Sequence, residues 1–249
     1  MGPAFILKAA APAIVWCFKG VAFSAEFYLR VKSLALQAAA SLASSKDFDD
    51  LMLLSHFWRA MAMDPAAVGD SKRVSEMMAF SRQYAGQASP NDPLEECRKL
   101  DVIKTYFESS VKEHLHCTRD LDQAQAAALE LIKLDPEWPV SRLEAAEVAF
   151  TKDQPLLALN QLSIAAGLGG PRKTVSLYYQ GQALELLERY PEAIAVYQKV
   201  LDRDPTCISA LENLICLIRE KGLVLPSRAG FLQQEYEARG VLMTAGGRV

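Results

Sequence analysis

With 249 residues, 51% hydrophobic and 23% charged, the chain has the composition of a folded domain or an extended repeat array, not of a disordered segment. A formal net charge of −3 lacks the basic excess with which a non-specific nucleic-acid binder displaces counterions, so nucleic acid is not an expected partner. The five cysteines, at 17, 97, 117, 207 and 216, are odd in number and lack disulfide spacing. They are expected to be reduced and buried, in a cytoplasmic or alternatively nuclear protein.

The first element is "AAAPAIVWCF", uncharged between Lys8 and Lys19 and too short to span a bilayer. It reads either as a signal peptide, with Ala22-Phe23-Ser24 as a small-x-small cleavage site, or as a helix closing one end of the fold. The thin basic flank, Pro12 and Lys19 favour the helix. Phe5, Ile6, Leu7, Val15, Trp16 and Phe18 form a large apolar set in a short span. Unless folded back, such a set marks a partner or membrane surface.

Helical periodicity follows almost throughout, and no convincing strand is found. Breaks rich in turn-formers fall at 44–50, 64–71, 86–93, 117–120, 135–139, 151–155, 167–173, 189–191, 204–207 and 221–227. Residues 40–65 read as a degenerate helical hairpin. "EHLHC" (113–117) puts His114 and Cys117 on one helical face, but no second cluster follows to complete a zinc set. A helix C-terminus, where histidines meet the last carbonyls, explains it better. "GLGGPRK" (167–173) lacks the preceding strand and the Gly-Lys-Ser/Thr of a phosphate loop and reads as a glycine C-cap. No catalytic residue, metal site or cofactor is expected.

The spacing of the helix stops carries the most information. Pro136, Pro171 and Pro205 lie 35 and 34 residues apart, with room for two helices in each interval. Between Thr174 and Pro205, Gly181 and Ala193 are small where two helices cross closely. Leu177, Leu184, Tyr190 and Tyr197 fill the space between them, and Pro205 ends the second helix. One period earlier, Ala146 and Ala158 hold the small positions and Ala145, Ala149, Leu162 and Ala165 are apolar. Before that, Ala124, Ala128, Leu131 and Pro136 fit a second helix.

These residues resemble the tetratricopeptide repeat family, specifically over 139–205 and loosely before 118. "Gly181-x-Ala183-Leu184", "Tyr190-Pro191-Glu192-Ala193-Ile194" and "Asp204-Pro205" sit at the family's offsets. Gln180 departs from the large apolar residue usual there. The resemblance implies an all-α, right-handed α-solenoid of helix-turn-helix hairpins whose first helices line a concave groove. The expected organisation is an irregular helical region at 1–118, repeats at 119–225, and a capping helix with tail at 226–249.

Groove-facing positions implied by the resemblance are Val175, Tyr178, Tyr179, Gln182 and Glu185 on the best unit. The preceding unit offers Val140, Leu143, Glu144, Glu147 and Phe150, and the following one Ser209, Glu212, Asn213, Cys216 and Arg219. The partner-binding candidates are Tyr178, Tyr179, Gln182, Glu144, Glu147 and Phe150. Aromatic and acidic groups together suit a basic or amphipathic helical segment of a protein, not a carboxylate terminus. The expected function is a non-enzymatic protein–protein interaction scaffold or adaptor, with neither nucleic acid nor membrane as partner. The alternative is a structural subunit of a large complex, in trafficking, ciliary or chromosome machinery, held through the apolar N-terminal region.

Overall fold

The computed structural model describes residues 2–18 and 24–221, with the side chains of all but Cys17 and Phe18. The break expected at 221–227 falls almost wholly outside the described residues, as do the capping helix at 226–240 and Ala22-Phe23. Among the described residues every regular element is helical. The chain divides between Asp135 and Pro136 into two compact units.

The first unit holds α1 (Pro3–Phe18), α2 (Ala25–Leu42), α3 (Phe48–Met61), the short α4 (Met63–Ala67), α5 (Ser71–Gln87), α6 (Pro93–Lys112), a π-helical turn (Glu113–Thr118) and α7 (Leu121–Leu134). Five of them, α2, α3, α5, α6 and α7, begin on side-chain caps. Ser24, Asp47, Asp70, Asp92 and Asp120 accept from the amides of Phe27, Asp50, Arg73, Glu95 and Gln123, satisfying donors that have no partner inside the helix. Helix α1 packs on α2 and α3, α3 on α5, and α6 on α7. Leu7, Ala10 and Ile14 of α1 are buried with Leu54, Phe57 and Met61 of α3. The N-terminal stretch is therefore a folded helix, continuous through Pro12.

Residues 40–65 do not form a hairpin of their own. No breaker interrupts the apolar face Phe48, Leu51, Met52, Leu54, Phe57 and Met61, so 48–61 is one helix, and its main partner is α5. The cysteines also differ from expectation. The four with described side chains are free thiols, but Cys97 and Cys216 are exposed on the outer faces of α6 and α12, while Cys117 and Cys207, at a helix end and in a turn, are half-buried at the margin of the core.

The second unit holds α8 (Pro139–Thr151), α9 (Pro155–Leu168), α10 (Lys173–Leu186), α11 (Tyr190–Arg203) and α12 (Ile208–Lys221), each packed on the next in series. Three of them carry proline in the first turn, Pro139, Pro155 and Pro191, where its missing N–H costs nothing. One core runs through all five, with Ala146, Ala158, Ala193, Leu184 and fully buried Tyr197 at the predicted crossings. Gly181 lies against the Tyr197 ring, where a Cβ would come within 2.6 Å of Cζ. The "GLGGPRK" break follows α9 with Gly169 at φ 80° and Gly170 at φ 69°, as a glycine cap requires.

The repeat is also written in the backbone. Among the described residues, Arg119, Asp153 and Glu188 are the non-glycine residues at positive φ, at 57°, 55° and 56°. They are spaced 34 and 35 residues apart and sit in the turns α6–α7, α8–α9 and α10–α11. After α10 the Glu188 amide donates to the Glu185 carbonyl at 2.9 Å and the Arg189 amide to the Leu184 carbonyl at 2.9 Å. After α8, Asp153 to Phe150 at 3.0 Å and Gln154 to Ala149 at 2.8 Å repeat that pattern. This is the Schellman ending, with an acidic residue where glycine is usual. The periodicity thus reaches back to the α6–α7 turn.

Candidate protein-binding surfaces

In the second unit the polar side chains of interest gather on α10 and its neighbours. Tyr178 is half-buried against the core, and its ring meets Tyr179 edge-on at 5.4 Å and Tyr197 at 6.1 Å. Gln182, one helical turn on, donates to the Tyr178 hydroxyl at 3.0 Å. The Tyr197 hydroxyl donates to Glu185 and accepts from Asn213 of α12 at 3.0 Å, linking three helices. Burial pushes the Tyr178 phenol up, and burial with the Glu185 hydrogen bond lifts Tyr197 far above the usual tyrosine range. Both hydroxyls stay protonated. Tyr179 is 41% exposed, so the adjacent tyrosines divide into one ring seated on the core and one offered to solvent.

On α8, Glu144 is only 6% exposed, whereas Glu147 and Phe150 are half-buried and Phe150 packs on the core. Gln180, the departure from the family pattern, donates to Ser163 Oγ of α9 at 2.7 Å, so a hydrogen bond replaces the usual apolar contact. Tyr178, Tyr179 and Gln182 are brought together on α10, and Glu144, Glu147 and Phe150 share α8. Of the positions on α12, Asn213 is joined to this network through Tyr197.

The first unit carries an open groove of about 1250 Å³ that the residue pattern did not foreshadow. Most of its lining comes from three helices, each with one stripe at helical spacing: Phe5, Lys8, Pro12 and Trp16 of α1; Asp49, Met52, Leu53, His56 and Arg59 of α3; Asp101, Thr105, Ser109 and Lys112 of α6, with α4, α5 and the π-helical turn adding the rest. Phe5 and Trp16 are 58% and 53% exposed. Arg59 Nη2 donates to His56 Nδ1 at 2.8 Å. Burial, then the charge of Arg59, brings His56 down to about 4, so the ring is neutral near pH 7. Burial also lowers Arg59, with Glu108 opposing. Asp49 is paired with Arg98, Asp50 accepts from Ser45 at 2.8 Å and Glu113 from Ser75 at 2.6 Å. The signal in the sequence was the 3–4 spacing of residues on α1, α3 and α6. It is legible only once those three helices are known to lie side by side.

Among the described residues no group of three or more His, Cys, Asp or Glu side chains is placed to hold a metal, and no helix is long and apolar enough to cross a membrane.

Hairpins of about 34 residues packed in series, with small residues at the crossings, define an α-solenoid built from helical pairs. The family model for the tetratricopeptide repeat matches residues 175–207, so the α10–α11 hairpin is a tetratricopeptide repeat. No curated protein matches the sequence. Among solved structures, the MamA RS-1 ArsTM double mutant shares the fold at 18% identity and TM-score 0.53, over 75% of this chain and 96% of that one. More distant are the APC/C hetero-tetramer Cut9-Hcn1 (15%, TM-score 0.46, 87% of this chain and half of that one) and the assembly chaperone of RpL4, Acl4 (13%, TM-score 0.44, 96% and 100%).

Proposed function

We propose that the chain is a protein-interaction scaffold whose second unit receives a basic or amphipathic helical segment of a partner on the face formed by α8, α10 and α12. The reading rests on the Tyr178–Tyr179 edge-to-face pair. One ring is fixed by the core and by Gln182, and the other is free to be covered, offering a large contact area at little ordering cost. Glu147 on α8 and Glu212 on α12 give the face an acidic margin, and Phe150 extends it along α8, with Glu144 buried beneath. The tetratricopeptide family is generally one of non-catalytic interaction repeats, consistent with a scaffold.

The test is affinity capture from native lysate with the wild type and with Tyr178→Ala/Tyr179→Ala, circular dichroism confirming that the variant stays folded. The expected outcome is selective loss of partners from the variant. An unchanged partner set would sink the proposal for this face. A second reading, a subunit held in a larger assembly through its N-terminal region, is favoured by the exposed Phe5 and Trp16 of α1.

A further inference from the structure

The groove of the first unit suggests the chemistry of a partner for that second reading, on which this inference rests; it is independent of the tyrosine face. The groove's lining holds four carboxylates and four cations, so its formal charges balance, but the two signs are engaged unequally. The acidic side chains along it are engaged within the unit: Asp49 with Arg98, Asp101 with Lys104 at 3.7 Å, Asp50 with Ser45 and Glu113 with Ser75. Its cations are not all matched. Arg59, held down on the floor, donates to His56, a ring that is itself neutral. Among the described residues no carboxylate lies within ion-pair distance of Arg59, and Glu108 acts on it from farther away. Lys8, at the rim, is likewise in no ion pair among the described residues.

A partly buried guanidinium retains five rigid donors, and a neutral imidazole uses one of them. Such a group is completed by a carboxylate brought in from outside, more strongly as the groove is emptied of water. Around it the surfaces are apolar: Phe5, Val15 and Trp16 on one side, Met52, Leu53 and Met78 on the other. The volume of about 1250 Å³ equals roughly three turns of a helix ~10 Å across at ~5.4 Å per turn. Strand addition to a sheet edge is not open to a partner here, because the described part of this unit is helical.

We infer that the groove between α1, α3 and α6 binds an amphipathic helical segment of a partner protein, whose apolar stripe lies on Phe5, Trp16 and Leu53 and whose central Asp or Glu pairs with Arg59. Lys8 at the rim adds a second attraction for an acidic flank. This is the opposite charge preference from the tyrosine face of the second unit.

The experiment is selection of a phage-displayed library of helical 14-residue peptides on the full chain, followed by anisotropy titration of the best binders. Binders are expected to carry apolar residues at i, i+3/i+4 and i+7 with a carboxylate among them. Changing that carboxylate to its amide should weaken binding at least about tenfold, and Arg59→Gln should remove the difference. Trp16→Ala, at an exposed position that does not endanger folding, should weaken the same peptides, whereas Tyr178→Ala/Tyr179→Ala should leave them unchanged. The inference is overturned by binders that are basic or uncharged, by indifference to Arg59→Gln and Trp16→Ala, or by an empty selection. It is also overturned if sedimentation shows a self-dimer broken by Trp16→Ala, because the occupant would then be a second copy. Loss of the binders only in the tyrosine variant would overturn this inference and support the tyrosine face instead.

Discussion

The tightest constraint on a single residue is at Gly181. Its Cα faces the ring of Tyr197, which is fully buried and held at its hydroxyl by Glu185 and Asn213. The ring cannot swing away without breaking those bonds. Ala is the better helix former by ~1 kcal/mol, yet overpacking of a filled core costs ~1–3 kcal/mol. Gly181→Ala is therefore expected to lower stability by about 1–2 kcal/mol, read as a reduced melting temperature by circular dichroism. An unchanged or raised melting temperature would mean that the ring relocates. This contact was legible in the sequence, because a glycine inside a helical pattern weakens the helix and is kept where a large side chain, here a tyrosine one helix later, presses on the backbone. Which of Tyr178 and Tyr179 faces the core was not legible, since adjacent helical positions differ by only ~100° and either could turn inward.

At the scale of elements, helix ends were legible wherever proline or glycine marked them, as at Pro139, Pro155, Pro191 and Gly169. The hairpin turns were partly hidden, because the positive-φ positions are Arg119, Asp153 and Glu188 and not glycines. An L-residue in that conformation costs ~1–2 kcal/mol, against ~0.5–1 kcal/mol of backbone entropy for glycine. Glu188→Gly is accordingly expected to raise stability by about 0.5–1 kcal/mol, and Asp153→Gly by a similar amount, measured as the shift in urea midpoint at constant slope. A loss in both would show that the acidic side chains make compensating interactions in the turn. The groove of the first unit was not legible because its stripes come from α1, α3 and α6, which the chain separates by other helices. Local periodicity reveals that each helix has a face, not which faces meet.

For the whole molecule, acid should act through the first unit before the carboxylates titrate. His56 is held at about 4 in the folded state against an ordinary value of 6.5. As pH falls below 6.5 the unfolded chain takes up a proton that the folded chain refuses. The stabilisation from the neutral ring is complete above pH 6.5 and is lost as pH drops towards 4, to a total of about 3 kcal/mol. Urea unfolding followed by tryptophan fluorescence should show midpoints that fall between pH 6.5 and 5, with Trp16 and Trp58 reporting on this unit. His56→Gln keeps an acceptor for Arg59 and should flatten that limb. An equally steep limb in the variant would place the acid sensitivity elsewhere. Helical periodicity and the proline period were enough to read an all-helical chain of hairpins, and the interaction role was legible only through the family resemblance they carry. The acid response was not readable, because it depends on a histidine, an arginine and their burial in one groove.

The Gly181–Tyr197 contact also restricts the order in which this sequence can diverge. Alanine at 181 alone overpacks the crossing, and shortening Tyr197 alone leaves a cavity and strips Glu185 and Asn213 of their shared partner, so either change made first passes through a destabilised intermediate. Changes at the two positions should therefore be rare singly and come as a pair, with the order set by which single step costs less.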